Sequence, residues 1–397
     1  MISPKRTIRI LTALFVAIIF IFVGNSLALN SAGMMLKNIN IDDFHIGIIT
    51  SCFFLGAIFS SIFGYKFISI YGYIRSYAVF TALFAISAIL HNIANNIILW
   101  AVLRFMLGFS YYSICMVVES WINARSRNEI RSRVFSFYTA IYYISSSFGM
   151  LLLSLGLGSS QVFVLSALFI MIGSIPLNII RIKEPQLPPK KKIFIPNIFS
   201  LVPLALAASF IAGILINGFF SMAGVFIISM GGSIKDASIF LLVAMFGGFS
   251  GHLFFGYFSD KFGRKFSIML ACVIPFVSIL AILLFSKNIL FYKFSVFFIG
   301  FGIFCLYALS VARANDVLGS KGEAAKISAT LLLNYSIGSL LGPIMIGYFM
   351  QKFNENGFIF VYLIGLIILF LVACFVDVVP KERRSKFMSH HPSEILH

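Results

Sequence analysis

The chain has 397 residues, of which 60% are hydrophobic and 11% are charged, and its mean hydropathy is +1.01. A soluble globular domain carries about 25% charged residues, so this composition excludes a protein that exposes its whole surface to water and favours a membrane protein. The formal net charge of +17 would suit a nucleic-acid-binding protein. However, the basic residues stand in short segments between apolar runs, so we expect no nucleic-acid partner.

Twelve apolar runs follow one another along the chain, and each is long enough for the roughly 20 residues that a membrane span requires. We number them spans one to twelve: residues 8–29, 45–66, 76–94, 97–119, 134–156, 161–181, 200–228, 237–258, 267–286, 291–312, 326–350 and 357–379. The first run follows a basic N-terminus, as in a signal peptide, but it is long enough to remain as an uncleaved span. A β-barrel would show alternating segments of about ten residues. We therefore predict an all-α membrane protein with twelve transmembrane helices and a lipid bilayer as its surroundings.

The Lys and Arg residues are distributed unequally between the two sets of loops. Nearly all fall in the N-terminal segment and in the loops on the same side of the membrane. The exceptions are Lys37, Lys235, Lys287, Lys293 and Lys352 on the opposite side, and Arg104 inside a span. Because cytoplasmic loops carry the excess of basic residues, we expect a multi-pass protein of the inner membrane of a bacterium, with both termini cytoplasmic.

A segment rich in proline and basic residues, RIKEPQLPPKKKIFIPN at 181–197, divides the spans six and six and reads as a linker. We predict an N-terminal six-helix half at 1–180, a cytoplasmic linker at 181–199, a C-terminal half at 200–380 and a cytoplasmic tail at 381–397. The halves resemble each other, because Gly64 precedes Gly256 by the same offset as Asn25 precedes Asn217. Repeated halves are typical of transporters that bind substrate between them near the membrane midplane. We therefore predict a permease for a small-molecule substrate.

One charged loop stands out from its apolar surroundings: GYFSDKFGRK, residues 256–265, after span eight. Its pattern Gly256-x-x-x-Asp260-Lys261-x-Gly263-Arg264-Lys265 resembles the signature loop of the major facilitator superfamily, and Arg104-x-x-x-Gly108 in span four resembles a second motif of that family. The resemblance implies the family's fold of two pseudo-symmetric six-helix halves. The segments VVESW in span four and GSLLGP in span eleven are similar to a group of bacterial permeases of unassigned substrate.

The resemblance also implies a gating role for the loop, which in this family locks the cytoplasmic side. Asp260 would then cap the N-terminus of span five across the interface of the halves, and Arg264 would pair with Asp316. The N-terminal copy, GYKFISIYGYIR, keeps Gly72 and Arg75 but lacks the aspartate. Its equivalent ion pair would join Arg75 to Glu119. The alternative is a solvated loop that only follows the bias of basic residues to the cytoplasm. The candidate gating residues are Asp260, Arg264, Gly256, Gly263, Asp316, Arg75 and Glu119.

Arg104 is the one basic residue inside a span, where a charge costs at least about 2.5–3.5 kcal/mol. On a helix, Gly108, Tyr111, Cys115 and Glu119 fall on the same face, which predicts a cavity face that binds an anionic group or biases proton transfer. The alternative is a structural arginine bonded to carbonyls of span one. The other polar candidates inside spans are each equally compatible with a helix–helix hydrogen bond. The candidate substrate or coupling residues are Arg104, Tyr111, Asn25, Asn217, Tyr142, Tyr307 and Asn334.

The acidic residues are absent from the predicted midplane, and only Glu119 comes close. We therefore expect a small neutral or anionic metabolite as the substrate of secondary active transport, with protons as a candidate coupling ion. The alternatives are a drug or metabolite exporter working as a proton antiporter, or a carrier-like sensor or lipid scramblase. An enzyme would need clustered His, Asp or Glu residues at one membrane face, which the sequence lacks. We expect no enzymatic activity, no catalytic residue, no metal, no cofactor and a monomer.

Overall fold

The structure, a computed structural model, describes residues 4–125, 128–179, 202–285, 289–318 and 324–379, and the regular structure within these ranges is helical throughout. A short 3₁₀ turn, His91–Ile93, follows the third α-helix. The thirteen α-helices are α1 Pro4–Asn38, α2 Asp43–Tyr71, α3 Tyr73–Leu90, α4 Ile97–Arg125, α5 Asn128–Leu153, α6 Ser159–Ile179, α7 Pro203–Ser229, α8 Ile234–Phe262, α9 Arg264–Phe285, α10 Ile289–Ile303, α11 Leu306–Leu318, α12 Ala324–Phe353 and α13 Asn356–Phe375.

These helices account for the twelve predicted spans. Spans one to nine are α1 to α9, span ten is interrupted at Phe304 and Cys305 into α10 and α11, and the last two spans are α12 and α13. Eleven spans in the described ranges are long and apolar enough to cross a membrane. In the remaining one, α5, the apolar stretch among the described side chains is Phe137–Leu153. The predicted linker and tail lie outside the described residues.

In both halves, glycines allow the backbone of a neighbouring helix to approach closely. In the first half, a β-carbon on Gly56 of α2 would lie 2.2 Å from a backbone oxygen of α4. A β-carbon on Gly108 of α4 would lie 1.8 Å from a backbone oxygen of α2. A β-carbon on Gly247 or Gly251 would lie 2.0 Å or 2.1 Å from a backbone oxygen of α10. Small residues allow such approach in membranes. The α2–α4 contact of the first half therefore has its counterpart in the α8–α10 contact of the second.

Two matching turns also relate the halves. Gly72 joins α2 to α3 with φ +84° and ψ 173°, and Gly263 joins α8 to α9 with φ +100° and ψ 157°. In both turns a serine four residues later, Ser76 or Ser267, donates its backbone N–H and its hydroxyl to the glycine carbonyl. This region of φ and ψ is essentially restricted to glycine, which explains why both turns keep one.

The two halves approach each other closely at one end of the bundle. We call the end at which α6 finishes and α7 begins the linker end, and the opposite one the far end. At the far end a β-carbon on Gly33 of α1 would lie 2.6 Å from the carbonyl oxygen of Ser221 in α7. One on Gly47 of α2 would lie 2.4 Å from that of Pro343 in α12, and one on Gly347 of α12 would lie 2.3 Å from the carbonyl of the first residue of α2. These three glycines form a far-end seal between the halves.

Candidate functional site

The loop that resembles the family signature is a charged turn at the linker end of the second half. Arg264 Nη2 lies 2.6 Å from Asp260 Oδ1, and its Nε lies 3.5 Å from Asp316 Oδ2. The guanidinium also donates to the hydroxyl of Ser259. The predicted contact between Arg264 and Asp316 is thus present. It lies within one half, because Asp316 belongs to α11.

Asp260 is placed differently from the prediction. Its side chain is 72% exposed and pairs with Arg264 one helical turn away, so the carboxylate is committed to its own loop rather than to the first turn of α5. Gly256 lies on the exposed side of α8, and a β-carbon there would meet no atom within 4 Å. In this conformation, then, nothing in the surroundings of Gly256 requires a glycine, whereas Gly263 is required by its positive φ.

The predicted ion pair of the first half is not formed. Arg75 is exposed in the first turn of α3, and no ion pair joins it to Glu119 among the side chains that the structure describes. Glu119 is half-buried and its Oε1 accepts a hydrogen bond of 3.0 Å from Tyr138 of α5. The carboxylate of Glu119 is instead engaged by α5.

Arg104 is fully buried and is bonded to the backbone of span one. Its Nη1 donates to the carbonyl of Ala28 at 2.8 Å, and its guanidinium carbon lies 5.2 Å from the centre of the Phe53 ring. These are the contacts that the structural alternative predicts. With no exposed atom, Arg104 holds α4 against α1 and α2 and offers no surface to a solute in this conformation.

The three asparagine candidates have different surroundings. Asn334 donates 2.7 Å and 2.8 Å hydrogen bonds to the carbonyl of Leu206 and the hydroxyl of Ser209, which ties α12 to α7. Asn217 donates to the hydroxyls of Tyr335 and Ser339 at 2.8 Å and 2.7 Å. Asn25 is buried, and its side-chain oxygen has no hydrogen-bond partner among the described atoms. Asn334 therefore serves packing, whereas Asn217 orients a tyrosine hydroxyl.

Half-exposed tyrosines from both halves converge around Glu119. The Glu119 carboxylate is within electrostatic range of the hydroxyl of Tyr307 in α11, and Tyr307 packs on Tyr335 of α12 with ring centres 4.6 Å apart. Tyr335 is in turn within electrostatic range of Tyr142 of α5. Tyr112, two helical turns before Glu119 on α4, is within range of both Tyr142 and Tyr335. We call this set the central cleft: Tyr112, Glu119, Tyr138, Tyr142, Asn217, Tyr307 and Tyr335.

Part of this cleft was predicted from the sequence. Tyr142, Tyr307, Asn217 and Glu119 were candidates, although Glu119 was assigned to gating. Tyr112 was missed because the helical-face argument for α4 was anchored on Arg104, and Tyr335 was missed because nothing in the sequence distinguished it. Tyr111, the candidate neighbour of Tyr112, is buried and packs on Phe53 at 6.1 Å.

A second contact between the halves lies beside the cleft. The hydroxyl of Tyr143 in α5 is 3.0 Å from Nδ1 of His252 in α8, and that nitrogen is also 2.9 Å from the carbonyl of Gly248. A carbonyl oxygen can only accept a hydrogen bond. In this arrangement Nδ1 therefore carries the hydrogen and donates to Gly248. Tyr143 also packs on Phe249 with ring centres 5.8 Å apart. This pairing of α5 with α8 was not predicted from the sequence.

A family model and curated relatives agree on the family to which this sequence is similar. A family model described as Major Facilitator Superfamily matches residues 14–343. A protein of Escherichia fergusonii named "Uncharacterized MFS-type transporter YcaD" is 24% identical over 358 residues, which is 89% of this chain and 91% of the relative. A protein of the same name from Salmonella paratyphi A is 25% identical over 355 residues, with the same coverage.

Solved structures share the fold at low sequence identity. The nucleoside transporter NupG superposes with a TM-score of 0.72 at 16% identity, over 93% of this chain and 97% of that one. A bacterial homologue of the human lysosomal transporter Spinster, in an inward-facing and unoccupied conformation, superposes with a TM-score of 0.70 at 16% identity, over 94% and 96% of the two chains.

Proposed function

Because this chain belongs to the major facilitator superfamily and is a transmembrane transporter rather than an enzyme, we propose that it is a secondary active transporter that moves a small polar solute by alternating access. The solute would bind in the central cleft between the two halves. The cytoplasmic membrane of a bacterium, with both termini inside, is the location that the distribution of basic residues favours.

The observation that carries this proposal is that one set of polar side chains is contributed by both halves beneath a closed far end. Glu119, Tyr138 and Tyr142 come from the first half, and Tyr307 and Tyr335 from the second. A solute that binds all of them has to bring the halves together around itself. The far-end seal then separates the cleft from one side of the membrane, as an inward-facing state requires when the linker is cytoplasmic.

The geometry changes our expectation about the charge of the solute. The expectation of a neutral or anionic metabolite depended on the absence of a carboxylate in the site, and Arg104 was the separate candidate for binding an anionic group. Arg104 has no exposed surface and binds backbone carbonyls, whereas Glu119 belongs to the cleft. Support for an anionic substrate is therefore gone, and a polar solute without a negative charge fits best.

Proton coupling and direction belong to the same proposal. Glu119 and His252 are titratable groups at places where the halves meet, so protons are the coupling ion that these residues favour. The alternative is a proton antiporter that exports a drug or metabolite. A carboxylate in the cleft strengthens this alternative, because the sequence had offered no such group. We expect a monomer, because one chain supplies both walls of the cleft.

Binding of a library of small metabolites to the detergent-purified full-length protein tests the proposal. A ligand that binds only the folded state raises its thermal stability by mass action. We expect at least one neutral or basic polar compound to raise the unfolding temperature, and the Asn217→Ala plus Tyr335→Phe variant to abolish the rise. Counterflow of that compound in proteoliposomes should then follow. Absence of any stabilising compound, or binding without counterflow, contradicts a transport function.

A further inference from the structure

Resting on the proposed function, we propose that the central cleft selects a small organic cation: an ammonium group binds the Glu119 carboxylate and the attached hydrocarbon packs on the surrounding tyrosine rings. The substrate class is thus a primary to quaternary amine with an apolar part.

The described carboxylates differ in the charge of their partners. Asp43 pairs with Lys37 at 2.6 Å, Asp236 pairs with Lys293 at 2.7 Å, and Asp260 and Asp316 share Arg264. Among the carboxylates whose side chains the structure describes, Glu119 is the one within a membrane-spanning helix that lacks a basic partner. Its hydrogen-bond partner is the neutral hydroxyl of Tyr138. A carboxylate at this depth is costly unless a positive charge or a proton neutralises it, so the cleft has a place for a cation.

Among the basic side chains that the structure describes, none forms an ion pair with Glu119. Arg104 lies on the same helix but is fully buried, with its guanidinium on the carbonyl of Ala28 and the ring of Phe53. Arg264 is bound by two carboxylates at the linker end. A solute at Glu119 therefore meets a carboxylate that no described basic side chain neutralises.

The walls of the cleft are aromatic. Tyr307 and Tyr335 of the second half form a ring pair 4.6 Å apart at a tilt of 47°. On the first half, Tyr138 and Tyr142 both meet Phe22 edge to face, at 5.5 Å and 5.2 Å. Aromatic faces around a cation are the recurring recognition mode for ammonium groups, including quaternary ones. Tyrosine hydroxyls add acceptors for any N–H.

A cation at this place would also connect the two halves. Glu119 belongs to α4 of the first half and acts electrostatically on Tyr307 in α11 of the second. An ammonium group between them is attracted by the carboxylate and by the face of the ring, so its binding holds the two halves in one relative position. Residues of both halves would then interact with the charge of the solute at the same time.

Matched sets of compounds that differ in charge alone test the inference on the purified full-length protein. One set is 2-phenylethylamine, 2-phenylethanol and phenylacetate, and a second is butylamine, butanol and butyrate. The trimethylammonium form of 2-phenylethylamine separates charge from N–H donation. We expect the ammonium members of a set to bind at least about tenfold more tightly than the alcohol and the carboxylate, a difference of about 1.4 kcal/mol.

The variant Glu119→Gln keeps an oxygen that accepts from Tyr138, so the fold should be retained. We expect it to lose the preference for the ammonium member while its unfolding temperature without ligand changes little. The matched control is Glu355→Gln, which removes the same charge from a half-buried position at the start of α13, at the far end. This control should keep the preference.

The results can distinguish failure of the cation inference from failure of the proposed transport function. Tight binding of a neutral or anionic compound from the metabolite library, with no preference for ammonium in any matched set, overturns the cation inference and leaves transport standing. An ammonium preference that persists in Glu119→Gln overturns the role of Glu119. If Glu119→Gln does not fold, the charge series on the unaltered protein still decides. No binding by any compound contradicts both proposals.

Discussion

At the scale of single residues, Arg104 shows how one charge in an apolar span leads to two opposite interpretations. The sequence predicts that Arg104 avoids lipid, but a binding arginine and a structural one share that property. Its partners decide between them, and these are backbone carbonyls of α1, which no side-chain pattern records. The sequence therefore located the residue but did not determine what it binds.

Replacement of Arg104 should affect stability more than ligand binding. In Arg104→Ala the charge-assisted hydrogen bond to Ala28 is lost, and such bonds contribute about 1.5–3 kcal/mol. We expect the free energy of unfolding in detergent to fall by about that amount, while the affinity of the remaining folded protein for a cleft ligand stays within about twofold. Arg104→Lys should be intermediate. Full stability combined with lost binding contradicts a structural role.

The two glycine turns predict a second effect on stability. Gly72→Ala and Gly263→Ala each force a β-carbon into a region of φ and ψ that costs about 1–3 kcal/mol. We expect each to lower the free energy of unfolding by roughly this amount. Gly256→Ala is the control, because its β-carbon meets no atom within 4 Å and its helical backbone suits alanine. Equal effects at all three positions would show that backbone strain is not the cause.

At the scale of helices, the contact of α2 with α12 depends on small residues at the far end. In Gly47→Leu the side chain would collide with the carbonyl of Pro343, which lies 2.4 Å from the β-carbon position. We expect this variant to keep the far end open. The measurement is labelling of Ser221→Cys, in a chain whose native cysteines are replaced by serine, with a membrane-impermeant maleimide.

The labelling experiment has a clear contrast. Ser221 is 2% exposed in the closed arrangement, so its cysteine should react slowly in the parent and several-fold faster with Gly47→Leu. Ser61→Leu places the same leucine side chain at an exposed position of α2 and should leave the labelling rate unchanged. Slow labelling in the Gly47 variant would mean that α2 and α12 adapt without separating.

Helices were the most predictable part of the fold. The membrane sets a minimum apolar length, so the twelve spans can be read directly from hydropathy. The interruption of span ten at Phe304 and Cys305 was not predicted, because the apolar run continues across it. Hydropathy records the environment of a segment and not its hydrogen-bond geometry.

At the scale of the whole molecule, the relation between the halves determines what the cleft can do. The contact of Tyr143 with His252 joins helices that are more than 100 residues apart in the sequence. The duplicated motifs predicted two halves but not which faces of them meet. Tyr335, whose hydroxyl accepts a hydrogen bond from Asn217 of α7, was missed because no pattern in the sequence singles it out.

A cross-link across the far-end seal tests whether the halves must separate there. We expect Phe44→Cys with Tyr348→Cys, again without other cysteines, to be joined by a short bis-methanethiosulfonate reagent, because the two native rings pack 6.1 Å apart between α2 and α12. Transport in proteoliposomes should stop when the cross-link forms and return after reduction, while ligand binding persists. Each single-cysteine variant serves as the control. Undiminished transport in the cross-linked protein contradicts alternating access at this end.

The far-end seal has a consequence for how the chain tolerates change. Gly33, Gly47 and Gly347 face backbone carbonyls, so what counts at these sites is the volume of the side chain and not its polarity. At Glu119 we expect the reverse ordering, since glutamine matches its size but not its charge. A saturation screen for function should therefore rank substitutions by bulk at one end of the solute's route and by charge at its centre.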